Sequence, residues 1–551
     1  MSWLDAMRYF AAGHERVLAA RTIGHDRSAL TTALRQDDAT FVEEMTRRSR
    51  GNHVRVGTTE EGHAYAYQLP LSNFRGDVTG DPGSGKTRLV GLTVAHVALL
   101  VLERQAELGD GVIVVDPKQE LASLVLRALA AHLGRLPRHA RRAQLRRLQI
   151  FRPFGRRTRS FGLLSRIASV EPMTQAAVIV EALESLTRGG LQLGVRQDPA
   201  LRALLALAIS CGWSLVELRI ALHEPMTIVE AAKGCPLPDV RIYFSTRWAR
   251  EPRSVLDGVA SRLDLLLSTA SLKGVFSGAG PALDMKGALE GGVCIVDTSG
   301  APLGAEGAAR VLNAMAISTI GFAAFDPERR VSGTSLVVID EVQVPAVVPS
   351  VASTLEALYS RGRSFGIAPL VIHQAASQLP TDLRLLLDST VNARIVGQGS
   401  RAEMTAAAHW LPSTSLLPRT RGPGARPSPE LELLSEAEEQ RERVRAVASL
   451  GPRSFLMAGR GLGAARIVRS ADFDPPPWHA LDPDVLAELE EAAGVPVAEA
   501  LARAREIEEA AAARILHNRP VASDRAREGS IGAIPDLPDA LPRGGRRGGV
   551  P

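Results

Sequence analysis

One eight-residue segment restricts this chain more than any other: Gly80, Asp81, Pro82, Gly83, Ser84, Gly85, Lys86 and Thr87 satisfy the pattern G-x-x-x-x-G-K-[ST] without a mismatch. A short strand centred on Val78 precedes it and an apolar helix follows Arg88, which is the strand-loop-helix setting the pattern needs. The glycines let successive backbone N–H groups turn inward at a helix N-terminus, where they and the helix dipole favour phosphate oxygens. Lys86 is the candidate to neutralise the β- and γ-phosphates, and Thr87 offers its hydroxyl to Mg2+. A chain built around such a loop is expected to be an α/β protein with a parallel-rich central sheet.

Ser335-Leu-Val-Val-Ile-Asp340-Glu341 supplies a complementary acidic pair at the end of an apolar strand. Asp340 is the candidate metal residue and Glu341 the candidate general base for an attacking water. Asp297, which ends the apolar run Val293 to Val296, is the rival, but no glutamate follows it. The chain contains no Asn-Lys-x-Asp or Thr-Lys-x-Asp segment for reading guanine, so ATP with Mg2+ is the expected cofactor pair.

Lys86 and Asp340 lie 340 − 86 = 254 residues apart, so a sizeable insertion is expected between the two halves of the site. The pattern suggests six segments. Residues 1–59 form an N-terminal helical and strand cap, with a helical pattern from Ser28 to Arg48 and a strand near Val54 to Val56. Residues 60–162 form the first part of a RecA-like P-loop ATPase domain: a strand at Ala64 to Leu69, a helix from Arg88 to Glu107 and the strand Gly111 to Val115. Residues 163–265, helical in period with few strand signals, form an all-helical insertion domain. Residues 266–475 resume the sheet at 292–297, 335–340, 370–373 and 393–396, then continue through an irregular loop at 418–429, a helix at 431–450, and strands at 454–457 and 465–468. Two amphipathic helices fill 476–516, each opening on a proline. Residues 517–551, rich in Pro, Gly and Arg, are expected to be disordered.

Composition adds little. Basic and acidic totals of 65 and 60 leave a formal charge of +5, a weak pointer to a polyanionic partner. The three cysteines have no CxxC spacing, which excludes a zinc ribbon or disulfide framework and suits a reducing compartment. The N-terminus lacks the basic-then-apolar order of a signal peptide. The longest apolar stretches, 89–102 and 311–325, fall short of the ~18 to 20 residues of a spanning helix. A cytoplasmic protein with no direct membrane span is expected.

Further motifs carry a family resemblance. Val114-Val-Asp116-Pro-Lys118-Gln-Glu-Leu121 is similar to the Asp-Pro-Lys-Gly-Glu-Leu segment of type IV secretion coupling proteins. Arg361-Gly-Arg363-Ser-Phe-Gly366-Ile367 and Gln374-Ala-Ala-Ser-Gln378-Leu379 resemble their Arg-Ser-Tyr-Gly-Ile and Gln-Ser-x-x-Gln-Leu runs, and Asn392-Ala-Arg-Ile395 resembles the next strand. On residues 60 to 470 the chain is identified as a member of the FtsK/HerA superfamily of hexameric DNA-pumping ATPases, nearest the TraG/TraD-like branch. The resemblance implies that Gln374 senses the γ-phosphate and that Arg363 acts as an arginine finger in a neighbouring subunit's site. It therefore implies a hexameric ring, DNA as partner, and a relaxase, secretion channel or nuclease as further partner. Asp116 and Lys118 fall in the surroundings of the nucleotide site with no assigned role.

Two departures qualify the resemblance. Gln119 stands where the family has glycine, which puts the local turn in question. Coupling proteins carry N-terminal membrane helices with no counterpart in this sequence, so either a partner recruits the protein to the inner face of a membrane or it belongs to a soluble branch. The alternatives are a HerA-like helicase partnering a nuclease in DNA processing or defence, and an ATP-gated recruiting adaptor that moves no DNA. Arg135 to Arg159, with ten arginines, His139, Phe151 and Phe154, is a candidate phosphate-backbone contact, as is the Arg-Gly tail at 543–549. Phe151 itself reads as a core residue of a strand.

Overall fold

Apolar runs of four to seven residues ending in polar or glycine-rich turns form the strands of one large sheet. The computed structural model describes residues 53–59, 64–68, 71, 73–103, 111–184, 197–251, 253–331, 333–410, 416–418, 431–433, 436–459, 465–470 and 474–517. The helical pattern at 28–48 and the tail beyond residue 517 lie outside the described residues. The strands are β1 (His53–Thr59), β2 (Ala64–Gln68), β3 (Gly76–Thr79), β4 (Val112–Asp116), β5 (Leu148–Phe151), β6 (Arg157–Thr158), β7 (Val293–Asp297), β8 (Ser335–Ile339), β9 (Ile367–His373), β10 (Ala393–Val396), β11 (Leu416–Pro418), β12 (Leu431–Leu433), β13 (Ser454–Ala458), β14 (Arg466–Ser470) and β15 (Val495–Pro496).

Eleven of them form the main sheet in the order β2-β1-β14-β13-β10-β3-β9-β8-β4-β7-β5. From β10 to β5 every pairing is parallel, whereas β13, β14, β1 and β2 extend the sheet in antiparallel fashion. β9 lies between the strand that leads into the P-loop and the strand that ends at Asp340, so β10-β3-β9-β8-β4 has the strand order of a RecA-like P-loop sheet. The chain has the α/β fold of a RecA-like P-loop NTPase.

Alternation along each strand feeds two cores. Val112, Val114, Leu336 and Val338 join the core beneath α1 (Lys86–Glu103) and α2 (Glu120–Leu133), while Ile113, Val115, Val337 and Ile339 face the opposite core. α3 (Arg138–Leu145) follows beside the β5 edge. The segment between β6 and β7 is helical: α4 (Pro172–Glu184), α5 (Gln197–Cys211), α6 (Leu215–Ala221), α7 (Pro225–Lys233), α8 (Pro238–Thr246), α9 (Arg253–Leu266), α10 (Ala270–Phe276) and α11 (Met285–Leu289). Its apolar faces merge with the second core, and Ser214 and Glu217 close a capping box at the start of α6.

α12 (Glu306–Ala324) is longer than its apolar stretch suggests and is the one described helix long and apolar enough to cross a membrane. Here it is buried in the second core together with α13 (Pro349–Arg361). The remaining helices are α14 (Thr381–Thr390), α15 (Arg401–Ala408), α16 (Glu436–Ala448), α17 (Pro483–Ala492) and α18 (Val497–His517). The helix expected at 431–450 begins only at Glu436, because the alternating Leu431-Glu-Leu433 pairs with Leu416–Pro418 as a strand. The strand expected at 370–373 starts three residues earlier, at Ile367, and all seven of its residues are buried.

Candidate functional site

β3 delivers the chain into the P-loop at the C-terminal edge of the parallel strands. Gly83 and Gly85 take φ of 85° and 92°, which only glycine adopts freely. The loop is anchored from several sides: Asp81 N–H donates to the Gln398 carbonyl at 2.6 Å, Ser84 N–H to the Asp81 carbonyl at 3.1 Å, and Gly397 N–H to the Thr79 carbonyl at 2.8 Å. A Cβ at Gly80 would come within 2.8 Å of Ser84 Oγ. Lys86 and Ser84 are buried and Thr87 is half-buried, whereas Asp81, Pro82 and Gly83 are exposed. Among the described residues Lys86 Nζ has one weak hydrogen-bond contact, 3.5 Å to the Asp81 carbonyl, and the first turn of α1 holds no acidic residue to compete for an anion.

Asp340 and Glu341 follow β8 beside this loop. Glu341 has φ of 50°, an unusual conformation for a non-glycine residue, and its N–H donates to Asp340 Oδ1 at 2.8 Å. Val342 N–H then bonds the Ile372 carbonyl at 3.1 Å, fixing the turn against β9. Such a backbone is retained only where the surroundings hold it, and functional sites are a common setting. Burial and the nearby Asp116 and Glu341 carboxylates push the Asp340 carboxyl up to about 7, although the Glu341 N–H and Lys86 oppose the shift.

Three side chains converge on Glu341. Lys118 Nζ lies 2.6 Å from Oε1, Gln343 Nε2 donates to Oε2 at 2.6 Å, and Gln374 Nε2 sits 3.2 Å from both oxygens. Burial would raise the Glu341 carboxyl, but the bonds from Lys118, Gln374 and Gln343 outweigh it and hold the group below its usual range. Gln374 follows β9, and the next turn is tied down by Ala376 N–H donating to Glu403 Oε1 at 2.9 Å.

Asp116 explains why Lys118 reaches this position. Fully buried, it accepts from the N–H groups of Lys118 at 2.7 Å, Gln119 at 3.0 Å and Ala122 at 2.8 Å, capping the start of α2. Gln119 takes φ of 72°, a left-handed conformation that glycine adopts at least cost. Burial raises the Asp116 carboxyl, partly offset by these backbone donors. The rival Asp297 sits opposite Asp116 in the β4–β7 register, but it is paired with Arg152 Nε at 3.0 Å and caps Ser299.

Arg363 lies elsewhere. It is exposed in the 3-10 turn Gly362–Phe365 ahead of β9, whereas Gln374 follows the strand. Seven residues of strand place the two about 20 Å apart. Gly366, at φ 61°, closes the turn, and a Cβ there would meet the Gly333 carbonyl at 2.4 Å. Phe365 packs edge-on against Phe325 at 4.9 Å, its carbonyl accepts from Arg329, and Arg361 stacks over Phe325 at 5.1 Å. The turn presenting Arg363 is therefore built on a fixed base.

The arginine-rich stretch divides in two. Arg141 pairs with Glu488 at 2.6 Å, Arg147 and Arg157 donate to the Gly291 and Gly494 carbonyls, Arg152 to Asp297, and Arg159 to the Ala492 carbonyl. Arg135, Arg138, Arg142, Arg146 and Arg156 are exposed, and Phe151 is fully buried.

Three further contributors have no role assigned from the sequence: Lys118, Gln343 and the buried pair His373 and Asp77, joined at 2.8 Å beneath the loop. The Asp-Pro-Lys resemblance draws attention to Lys118, and the position two residues beyond Glu341 to Gln343; the His373 and Asp77 pair has no such signal.

These residues fit a magnesium nucleotide. The cradle is formed, Lys86 is buried at its centre, Ser84 Oγ is buried without a partner among the described residues, and the buried carboxyl of Asp340 lacks a full countercharge.

No family model matches the sequence, and no curated protein matches it. Among solved structures the chain is similar to the bacterial conjugative coupling protein TrwBdeltaN70 in its unbound monoclinic form, at 15% identity and TM-score 0.45, over 79% of this chain and 93% of that one. It is similar to the plasmid coupling protein TrwB in complex with ADP and Mg2+, at 15% identity and TM-score 0.44, over 78% and 93%. It is also similar to VirB4 of Thermoanaerobacter pseudethanolicus, at 13% identity and TM-score 0.46, over 79% and 98%. The fold assignment rests on the chain's own strand order and P-loop.

Proposed function

We propose that this chain is a Mg-ATP-dependent DNA-translocating motor ATPase of the FtsK/HerA superfamily, nearest the TraG/TraD-like coupling proteins, that acts as a homo-oligomeric ring. The observation that carries the reading is the convergence of Gln374 and Lys118 on Glu341 beside an intact P-loop, with Arg363 held at the far end of β9.

Bound MgATP supplies the phosphoryl group to be transferred and a divalent charge beside it. The N–H groups of the P-loop and Lys86 would hold its phosphates, and Thr87 and Asp340 would hold the cation. Glu341 orients the attacking water and takes its proton at a carboxylate oxygen. Gln374, tied to Glu341, reports whether a γ-phosphate is present. Arg363, too far from its own site, completes the site of an adjacent subunit, so neither subunit alone is competent.

The test is ATP hydrolysis by purified protein with and without double- and single-stranded DNA, at low and moderate salt, beside Glu341→Gln. Stimulation by DNA that fades with salt supports the motor reading. Hydrolysis indifferent to DNA rejects it in favour of an adaptor or protein-handling role.

A further inference from the structure

We propose that Arg453 is a nucleotide-contacting residue of the same subunit, lying on the α-phosphate and nucleoside side of the P-loop. The inference rests on the nucleotide reading above and adds a residue that neither the motif nor the family resemblance supplies.

Arg453 precedes β13 and has φ of 67°, one of three non-glycine residues with positive φ among the described residues. The other two, Gln119 and Glu341, both belong to the site. An L-residue in this conformation carries backbone strain that a glycine would not. The backbone is locked there from both sides: its N–H donates to the Ser84 carbonyl at 2.8 Å, and its carbonyl accepts from Ser470 N–H at 2.8 Å. The side-chain stem lies against the loop, since a Cβ built on Gly85 would meet Arg453 Cγ at 3.2 Å. The residue is only half-buried. An arginine thus occupies a position where glycine would satisfy the backbone better, with its aliphatic part against the residue just before Lys86.

Strand order indicates which end of the nucleotide it meets. β9 and β8 flank β3 on one side and carry Gln374, Asp340 and Glu341, the groups proposed for the γ-phosphate end. β10 and β13 flank it on the other, and β13 runs antiparallel to β10, so Arg453 emerges at the same sheet edge as the P-loop. A guanidinium here suits the α-phosphate, which it can bind with paired donors.

The test uses the full chain, with MgATP and MgADP titrated separately by calorimetry into wild type, Lys86→Ala, Arg453→Gly and Arg453→Lys. Glycine accepts the positive φ, so Arg453→Gly keeps the turn and its melting temperature should equal or exceed that of wild type. The expected result is a loss of about tenfold in affinity for ATP and ADP alike, as for one charged contact shared by both, with Arg453→Lys intermediate. Wild-type affinity in Arg453→Gly overturns the proposal, as does a loss confined to ATP. A lowered melting temperature in Arg453→Gly together with full affinity in Arg453→Lys assigns the position to packing alone and also overturns it. If the wild type binds neither nucleotide, or Lys86→Ala binds as tightly as wild type, the nucleotide reading itself fails, a result distinct from failure at Arg453.

Discussion

Lys118 Nζ and Glu341 Oε1 lie 2.6 Å apart although the residues are 223 positions apart in the chain, so the carboxylate proposed as general base is engaged by a cation from the end of a neighbouring strand. The glutamate is nearly buried and the lysine about half-exposed. Lys118, Gln343 and Gln374 together hold the carboxylate charged and oriented.

Glu341→Gln keeps the shape and the bond to Gln343 or Gln374 but cannot take a proton. Nucleotide affinity should stay within about twofold of wild type while hydrolysis falls by ~10² or more, read by calorimetry and phosphate release. Undiminished turnover would remove Glu341 from the role of base.

Arg363→Ala should leave nucleotide affinity intact and reduce hydrolysis by about 10³. Mixing it with inactive Lys86→Ala subunits should restore part of the rate, because mixed interfaces pair an intact P-loop with an intact Arg363. A mixture no more active than its components would argue against action between subunits.

Gln119→Gly replaces a residue at φ 72° with the one that adopts it at least cost. Urea unfolding should show a gain of about 0.5 to 1 kcal/mol, and an equal or lower stability would mean that the Gln119 side chain contributes more than its backbone strain removes.

The buried imidazole of His373 is subject to burial, which lowers its proton affinity, but the Asp77 carboxylate 2.8 Å away more than reverses this and raises it above the ordinary value. A raised imidazole contributes stability that is fully present below about pH 6.5 and lost as pH rises through its folded value. Asp77→Asn should therefore cost about 3 kcal/mol near pH 6 and less near pH 9. A cost independent of pH between those limits would show that the imidazole stays neutral throughout.

The P-loop, the Asp340 strand and the Gln374 strand were legible in the sequence because each is a contiguous run whose residue types and period are set by its own backbone. The parallel-rich character of the sheet was legible too, whereas the strand order was not. What sequence could not supply are meetings made by the sheet: Lys118 with Glu341, His373 with Asp77, and Arg453 with Gly85 each join segments that are adjacent only once the strands are stacked. Gln119 shows the converse. Asp116 fixes the turn through three backbone N–H groups, so the conformation survives a residue that does not favour it. The start of α16 was not legible for a local reason: Leu431-Glu-Leu433 has a period of two and pairs as a strand ahead of the helix.

β9 is buried along all seven residues, with Gln374 just past one end and the Arg363 turn at the other. A strand packed on both faces and bonded to β3 and β8 does not stretch, so displacement at one end is displacement at the other. In the ring proposed above it acts as a push rod: a shift at Gln374 arrives at the turn that carries Arg363.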